Sequence, residues 1–167
     1  MIEVNYNDYA NYVVKNISNG AFLTVKKEDI INTMTIGWGS IGIIWGKPIL
    51  MVMVRKSRYT YELLDDNTEF TVSFPALNEL KKELMFCGSN SGRDTDKFKE
   101  CNLNLIDSKE INTPVIPEAK LHLECKIVFK QDMNENNLLE EFNNKWYPES
   151  NYHTMYYAEI ASAYIDE

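Results

Sequence analysis

NTMTIGWGSIGIIWGKPILMVMVRK, residues 32–56, decides the fold. Its glycines at 37, 39 and 42 formally satisfy GxGxxG, the fingerprint of a dinucleotide-binding βαβ unit. That fingerprint works only where the glycines follow a strand and open a helix, and here IIWGKPIL follows, which is strand and turn material. A doubly wound sheet is therefore rejected. Two readings of the glycines remain. Alternating with Trp38, they could bare the backbone on one strand face, where a flat ring can approach N–H and C=O groups. Alternatively, they mark a bulge or a tight bend.

Working outward, GAFLTVKK (20–27), ILMVMVRK (49–56) and EFTVSF (69–74) are rich in β-branched, aromatic and Met residues, with turn residues and Pro48 as punctuation. LHLECKIVFK (121–130) and TMYYAEIASAYI (154–165) return to the same chemistry near the other end. Helical patterns are short. YNDYANYVVKNI (6–17) puts Tyr9, Val13 and Ile17 on one stripe before Asn19-Gly20 stops it, with further short helices in SRYTYELLDDN, ALNELKKELMF and DTDKFKECN. Ser57 or Thr60 would cap the second of these helices, and Asp94 or Thr95 the last. Strands bracket the helices instead of alternating with them, so the expected class is mainly β with short helices, in a barrel or meander. With 167 residues, 44% hydrophobic, and no repeat or linker, one domain over 1–167 is expected.

A net charge of -8 argues against nucleic acid and anionic membranes, which attract electropositive faces. The start is too polar for a secretory segment and no run of about 18 apolar residues occurs, so a soluble, cytoplasmic protein is expected. Cys87, Cys101 and Cys125 lack CxxC spacing, which points to reduced thiols without zinc. His122 and His153 have no partner at metal-ligand spacing, and read as strand-edge or interface residues.

Against this acidic background, VRKSRYTYELL (54–64) crowds Arg55, Lys56 and Arg58 where a strand hands over to a helix. Free N–H groups, the helix dipole and fork-shaped arginines make an anion site suited to one phosphate. The alternative is a solvated cluster paired with nearby acids. CGSNSGRDTDKF (87–98) offers similar parts in glycines, hydroxyls, Arg93 and another helix start, and reads either as a cover over a bound anion or as an ordinary loop. Cys87 beside it is either redox-active or inert. QDMNENNLLEEFNNKWYPESN (131–151), with a central helix near Leu138–Phe142, reads as a solvated excursion and is assigned no chemistry. Nucleophile elbows, HExxH and paired carboxylates are lacking.

Taken in order with PVIPEAKLHLEC (114–125) and YHTMYYAEIASAYIDE (152–167), these segments resemble the flavin reductase-like, FMN-binding split-barrel family, which includes the flavoredoxin-type proteins. The resemblance implies a Greek-key split β-barrel that dimerises and holds FMN near the subunit boundary. It places Met34, Thr35, Ile36, Gly37, Trp38, Gly39 and Ser40 along the flavin ring. Arg55, Lys56, Ser57, Arg58, Tyr59 and Thr60 would receive the phosphate, and Cys87, Gly88, Ser91, Gly92, Arg93 and Lys97 would close over the ligand. Many relatives carry smaller residues at Trp38. The implied activity is NAD(P)H-dependent flavin reduction through N5, with catalytic side chains unnecessary because the cofactor carries the chemistry. The alternatives are an electron carrier reduced by a redox partner protein, and a flavin-binding module without turnover.

Overall fold

Within the deciding stretch, Gly37-Trp38 separates two strands that are consecutive in the chain and do not pair with each other. In the computed structural model, which describes residues 1–165, the strands are β1 (Ile2–Glu3), β2 (Ala21–Lys27), β3 (Ile30–Ile36), β4 (Gly39–Ile44), β5 (Lys47–Arg55), β6 (Glu69–Phe74), β7 (Leu121–Asp132) and β8 (His153–Ile165). They form one eight-stranded sheet in the order β3-β2-β6-β7-β8-β5-β4, with β1 added to β8. Every pairing is antiparallel. β3 and β4 are thus the two ends of the strand order, yet only two residues separate them. Two residues span at most about 11 Å, so the sheet curls until its edges nearly meet. The result is an open barrel with a seam at Gly37-Trp38.

The inner face carries the main core. Ala21, Leu23 and Val25 of β2, Leu50, Val52 and Val54 of β5, and Phe70, Val72 and Phe74 of β6 alternate inward as the period of two requires. β2 and β6 are buried on their outer faces as well: Phe22 packs with Leu84, Cys87, Leu103 and Ile116 under the helices. Pro48, expected as punctuation, is the second residue of β5; a two-residue turn with both Trp45 and Gly46 at positive φ precedes it.

The helices are α1 (Tyr6–Asn16), α2 (Tyr59–Leu64), α3 (Lys81–Ser89), α4 (Lys97–Cys101) and α5 (Glu140–Trp146). α1 continues into a 3-10 turn that stops at Gly20, whose φ of 107° only glycine adopts readily. Asp96 caps α4 through Lys99 N, not Asp94 or Thr95, so the start lies one or two residues further on than the sequence suggests. The helix expected around 138–142 forms at 140–146. No described helix is long and apolar enough to cross a membrane.

Candidate functional site

β5 ends at Arg55, and after a short turn α2 begins behind Arg58. Neither expected cap serves. The Ser57 hydroxyl accepts from Asn151 Nδ2 at 2.8 Å, and Thr60, one residue inside the helix, accepts from Asn32 Nδ2 at 2.9 Å. α2 therefore has no side-chain cap; Tyr61 N donates to Arg58 O at 3.0 Å, and the two amides before it have no acceptor within the helix. Arg58 Nη1 donates to Gly88 O at 2.8 Å, tying this corner to the last turn of α3.

The cations differ in how their charge is met. Arg55 donates to Asn151 O at 2.6 Å and Trp146 O at 3.0 Å, and lies 5.1 Å from the Tyr147 ring centre. Both Arg55 and Arg58 thus donate to carbonyl groups and meet no carboxylate among the described residues. Lys56 is the reverse: it pairs with Asp132 at 2.5 Å and lines none of the cavities described below. Its expected part in the phosphate site is not supported by its position. Arg93 pairs with Glu62 and sits over Tyr59 at 5.1 Å. Lys97 is only 4% exposed, and its ammonium donates to Thr33 O at 2.8 Å and Cys87 O at 2.9 Å. Burial lowers its pKa.

Three adjoining cavities share Arg58. One of about 180 Å³ is bedded on the Met34–Trp38 stretch and walled by Met53, Arg55 and His153. A second of about 110 Å³ lies between Asn32, the Ser57–Thr60 corner, the Ser89–Arg93 loop and Lys97. The third, an open cleft of about 500 Å³, runs from Arg55, Ser57 and Arg58 to Lys145, Trp146 and Asn151. Together they form one groove with a flat strand floor at one end and cations at the other. A separate cavity of about 290 Å³ between Pro75–Lys81 and α3 has Lys81 and Glu79 but no arginine, so it is poorer in anion chemistry.

The structure brings together most of the site residues expected from sequence. Met34, Thr35, Ile36, Gly37 and Trp38 line the first cavity, and Ser57, Arg58, Tyr59, Thr60, Ser91, Gly92, Arg93 and Lys97 the second. Gly39 and Ser40 line neither. A Cβ on Gly39 would lie 2.6 Å from Met51 O, so this glycine answers to close strand packing, whereas Gly37 has nothing nearer than Ile17 O at 3.9 Å. Gly92 is required too, since its Cβ would lie 2.0 Å from Asn32 Oδ1. Gly88 contributes its carbonyl to Arg58. Cys87 is fully buried, and burial pushes its thiol up to about 12, so it packs as an inert thiol at neutral pH.

Several site residues were missed. His153 is not on an edge strand, since β8 lies between β7 and β5: it is 7% exposed, shares a 2.8 Å hydrogen bond with the Tyr147 hydroxyl, and packs 5.3 Å from Trp38. Burial, reinforced by Arg55 and Arg58, brings its pKa down to about 4, so it is neutral at physiological pH. His122 is buried as well, facing Ser73 Oγ at 3.1 Å. The segment assigned no chemistry supplies a wall of the groove, because Trp146 meets Trp38 edge-on at 5.0 Å. The signal was the KWYP cluster, two large rings within an otherwise polar run. Asn32 and Met53 gave none beyond their places on strands.

Comparison with known proteins agrees with this geometry. The chain is 31% identical over 117 residues to an uncharacterized protein of Archaeoglobus fulgidus, a match covering 70% of this chain and 65% of that protein, so it spans just under two thirds of that relative's length. A crystal structure of flavoredoxin from Methanosarcina acetivorans superposes with a TM-score of 0.70 at 28% identity, covering 89% of this chain and 68% of the other. An FMN-binding domain of a flavin reductases-like enzyme from Shewanella baltica gives a TM-score of 0.72 over 99% of this chain and 76% of the other, and at 20% identity it shows the shared fold alone. The expected split barrel is thereby established, and the family model for the flavin reductase like domain matches residues 17–167, so the chain belongs to that family.

Proposed function

We propose that the groove binds one FMN per subunit and that the protein is an FMN-dependent oxidoreductase reduced by NAD(P)H. The observation that carries the reading is Arg58, which borders all three cavities and so joins a flat strand floor to an anion corner. The donor set fits the group. A phosphate dianion calls for cations and unpaired amides, supplied by Arg58, the ammonium of Lys97 and the uncapped start of α2. An isoalloxazine calls for a flat, half-apolar bed, supplied by Met34–Trp38 and Met53.

When bound, FMN supplies two-electron chemistry at ring N5. The protein's own task is to bind, orient and exclude water. Arg58, with Ser57 and Thr60 beside it, would hold the phosphate, and the Met34–Trp38 stretch would bed the ring. The Asn90–Arg93 loop would cover the ligand, with Arg93 held in reserve on Glu62. Neutral His153 lets Arg55 and Arg58 keep the only formal charges on that wall, which favours an electron-rich ring.

The test is an absorption and fluorescence titration with FMN, followed by anaerobic addition of NADH or NADPH. Bleaching is the expected result. Bleaching by dithionite alone would sink the reductase and leave an electron carrier, and no response to FMN would sink the whole reading.

We also propose a single domain over 1–167, a cytoplasmic location and a homodimer. The three free cysteines fit a reducing compartment. The apolar surface offered for pairing is the exposed patch of Ile43, Trp45, Val128 and Phe129, in which Trp45 and Phe129 are 6.1 Å apart and Tyr157 of β8 lies 5.6 Å from Phe129. Sedimentation at micromolar concentration should give a dimer, and a flavin-loaded monomer would refute it.

A further inference from the structure

The phosphate corner accounts for only one end of the groove. Beyond it, the open cleft of about 500 Å³ lies in the range of small-molecule sites, roughly 300–1,000 Å³. Its walls hold Arg55, Arg58 and Lys145, with Glu149 the one carboxylate among the described lining residues. In a chain of net charge -8 this is an unusual balance. The charges are also uncompensated: Arg55 and Arg58 donate to carbonyls, and the Lys145 ammonium meets the Trp146 ring at 4.8 Å and no carboxylate among the described residues. Elsewhere cations find acids, as in Lys56 with Asp132 and Lys47 with Glu159. Half-buried Arg55 and exposed Lys145, with Arg58 at the border shared with the flavin phosphate and Ser57 and Asn151 as hydroxyl and amide donors, are suited to a group carrying more than one phosphate charge.

We propose that this cleft seats the diphosphate of the dinucleotide electron donor, so that α5 and the turn after it form the donor-recognition element. This rests on the reading of the neighbouring cavities as the flavin site. The cleft and that site share Arg55 and Arg58, so a donor whose diphosphate lies between Arg55 and Lys145 has its other end directed toward the strand floor. Trp146 supplies the hinge between the two regions, one edge against Trp38 and its face under Lys145.

The test uses ADP as probe, measured by calorimetry on the full chain, both saturated with FMN and without it. Lys145 is exposed, so Lys145→Glu leaves the core untouched; Lys126→Glu, on an exposed part of β7, is the control. Reversing one exposed charge should weaken ADP binding about tenfold while FMN affinity stays within about twofold. The neutral Lys145→Gln should lose about threefold. In turnover, KM for the nicotinamide nucleotide should rise with kcat unchanged. ADP that binds wild type and Lys145→Glu equally, or not at all, while FMN still binds, overturns the proposal. So does reduction of the flavin only by an acidic redox protein, with ADP silent. If FMN fails to bind yet ADP responds to Lys145→Glu, the diphosphate site stands and the flavin reading falls.

Discussion

Arg58→Ala separates phosphate recognition from general damage to the groove. A charge-assisted hydrogen bond to a group taken out of water contributes about 1.5–3 kcal/mol, so FMN affinity should fall about 10- to 150-fold. The same substitution also releases the 2.8 Å bond to Gly88 O and loosens the covering loop. That second loss falls on any flavin, whereas the first falls only on a phosphorylated one. Riboflavin therefore measures that second loss alone, and its affinity for Arg58→Ala should fall by much less than that of FMN. Arg93→Ala supplies the comparison. Its guanidinium already pairs with Glu62 and is partly exposed, so the loss should stay under about 1 kcal/mol, or less than about fivefold. The assay is quenching of flavin fluorescence by wild type, Arg58→Ala and Arg93→Ala, each with FMN and riboflavin. Equal losses of both ligands in Arg58→Ala would show that Arg58 holds the fold and not the phosphate.

Lys97→Met removes the ammonium from the Thr33 and Cys87 carbonyls at a buried position, and should cost about 2 kcal/mol, lowering the melting temperature by about 4–8 °C; an unchanged melting curve would remove Lys97 from the structural role given to it. His153 has a native pKa of about 4 against an ordinary 6.5, so the unfolded chain takes up the proton first as pH falls. The stability this represents is intact above pH about 6.5 and is lost progressively between there and about 4, on the order of 3 kcal/mol in all. Denaturant midpoints across that window should fall less steeply for His153→Gln than for wild type. Cys87, pushed up to about 12 by burial, should resist a thiol reagent at pH 8 in the folded protein, with Cys101 labelled first, and rapid double labelling of native protein would contradict the packing.

β2, β5 and β6 were legible in the sequence because runs of β-branched, aromatic and Met residues between turn residues are what strands buried on one or both faces require. β1 was not, since two residues joined to β8 carry no periodicity. The break at Gly37-Trp38 was hidden for a different reason. Both flanking strands are apolar, and only the tertiary curl makes them leave opposite edges. For the groove, Arg58 and the loop from Gly88 to Arg93 announced themselves as cations and glycines within an acidic chain. Lys56 gave the same local signal as Arg58 but found Asp132, a partner 76 residues away that no local window reveals. His153 was misjudged because a lone histidine on a strand looks alike whether it faces solvent or packs beside Trp38 and Tyr147. Trp146 lay inside a polar run whose composition outweighed its two rings.

The seam at Gly37-Trp38 has a mechanical meaning. These two residues are a short hem stitching the opposite borders of a rolled sheet, and the same hem is the floor of the groove. A ligand lying along it would grip both borders at once, so occupancy should slow backbone amide exchange in β2 and β4, whose residues line none of the three cavities, as well as in β3. Conversely, a chain lengthened by a few residues at Trp38 would let the roll relax open and flatten the bed, abolishing binding without deleting a single ligand contact.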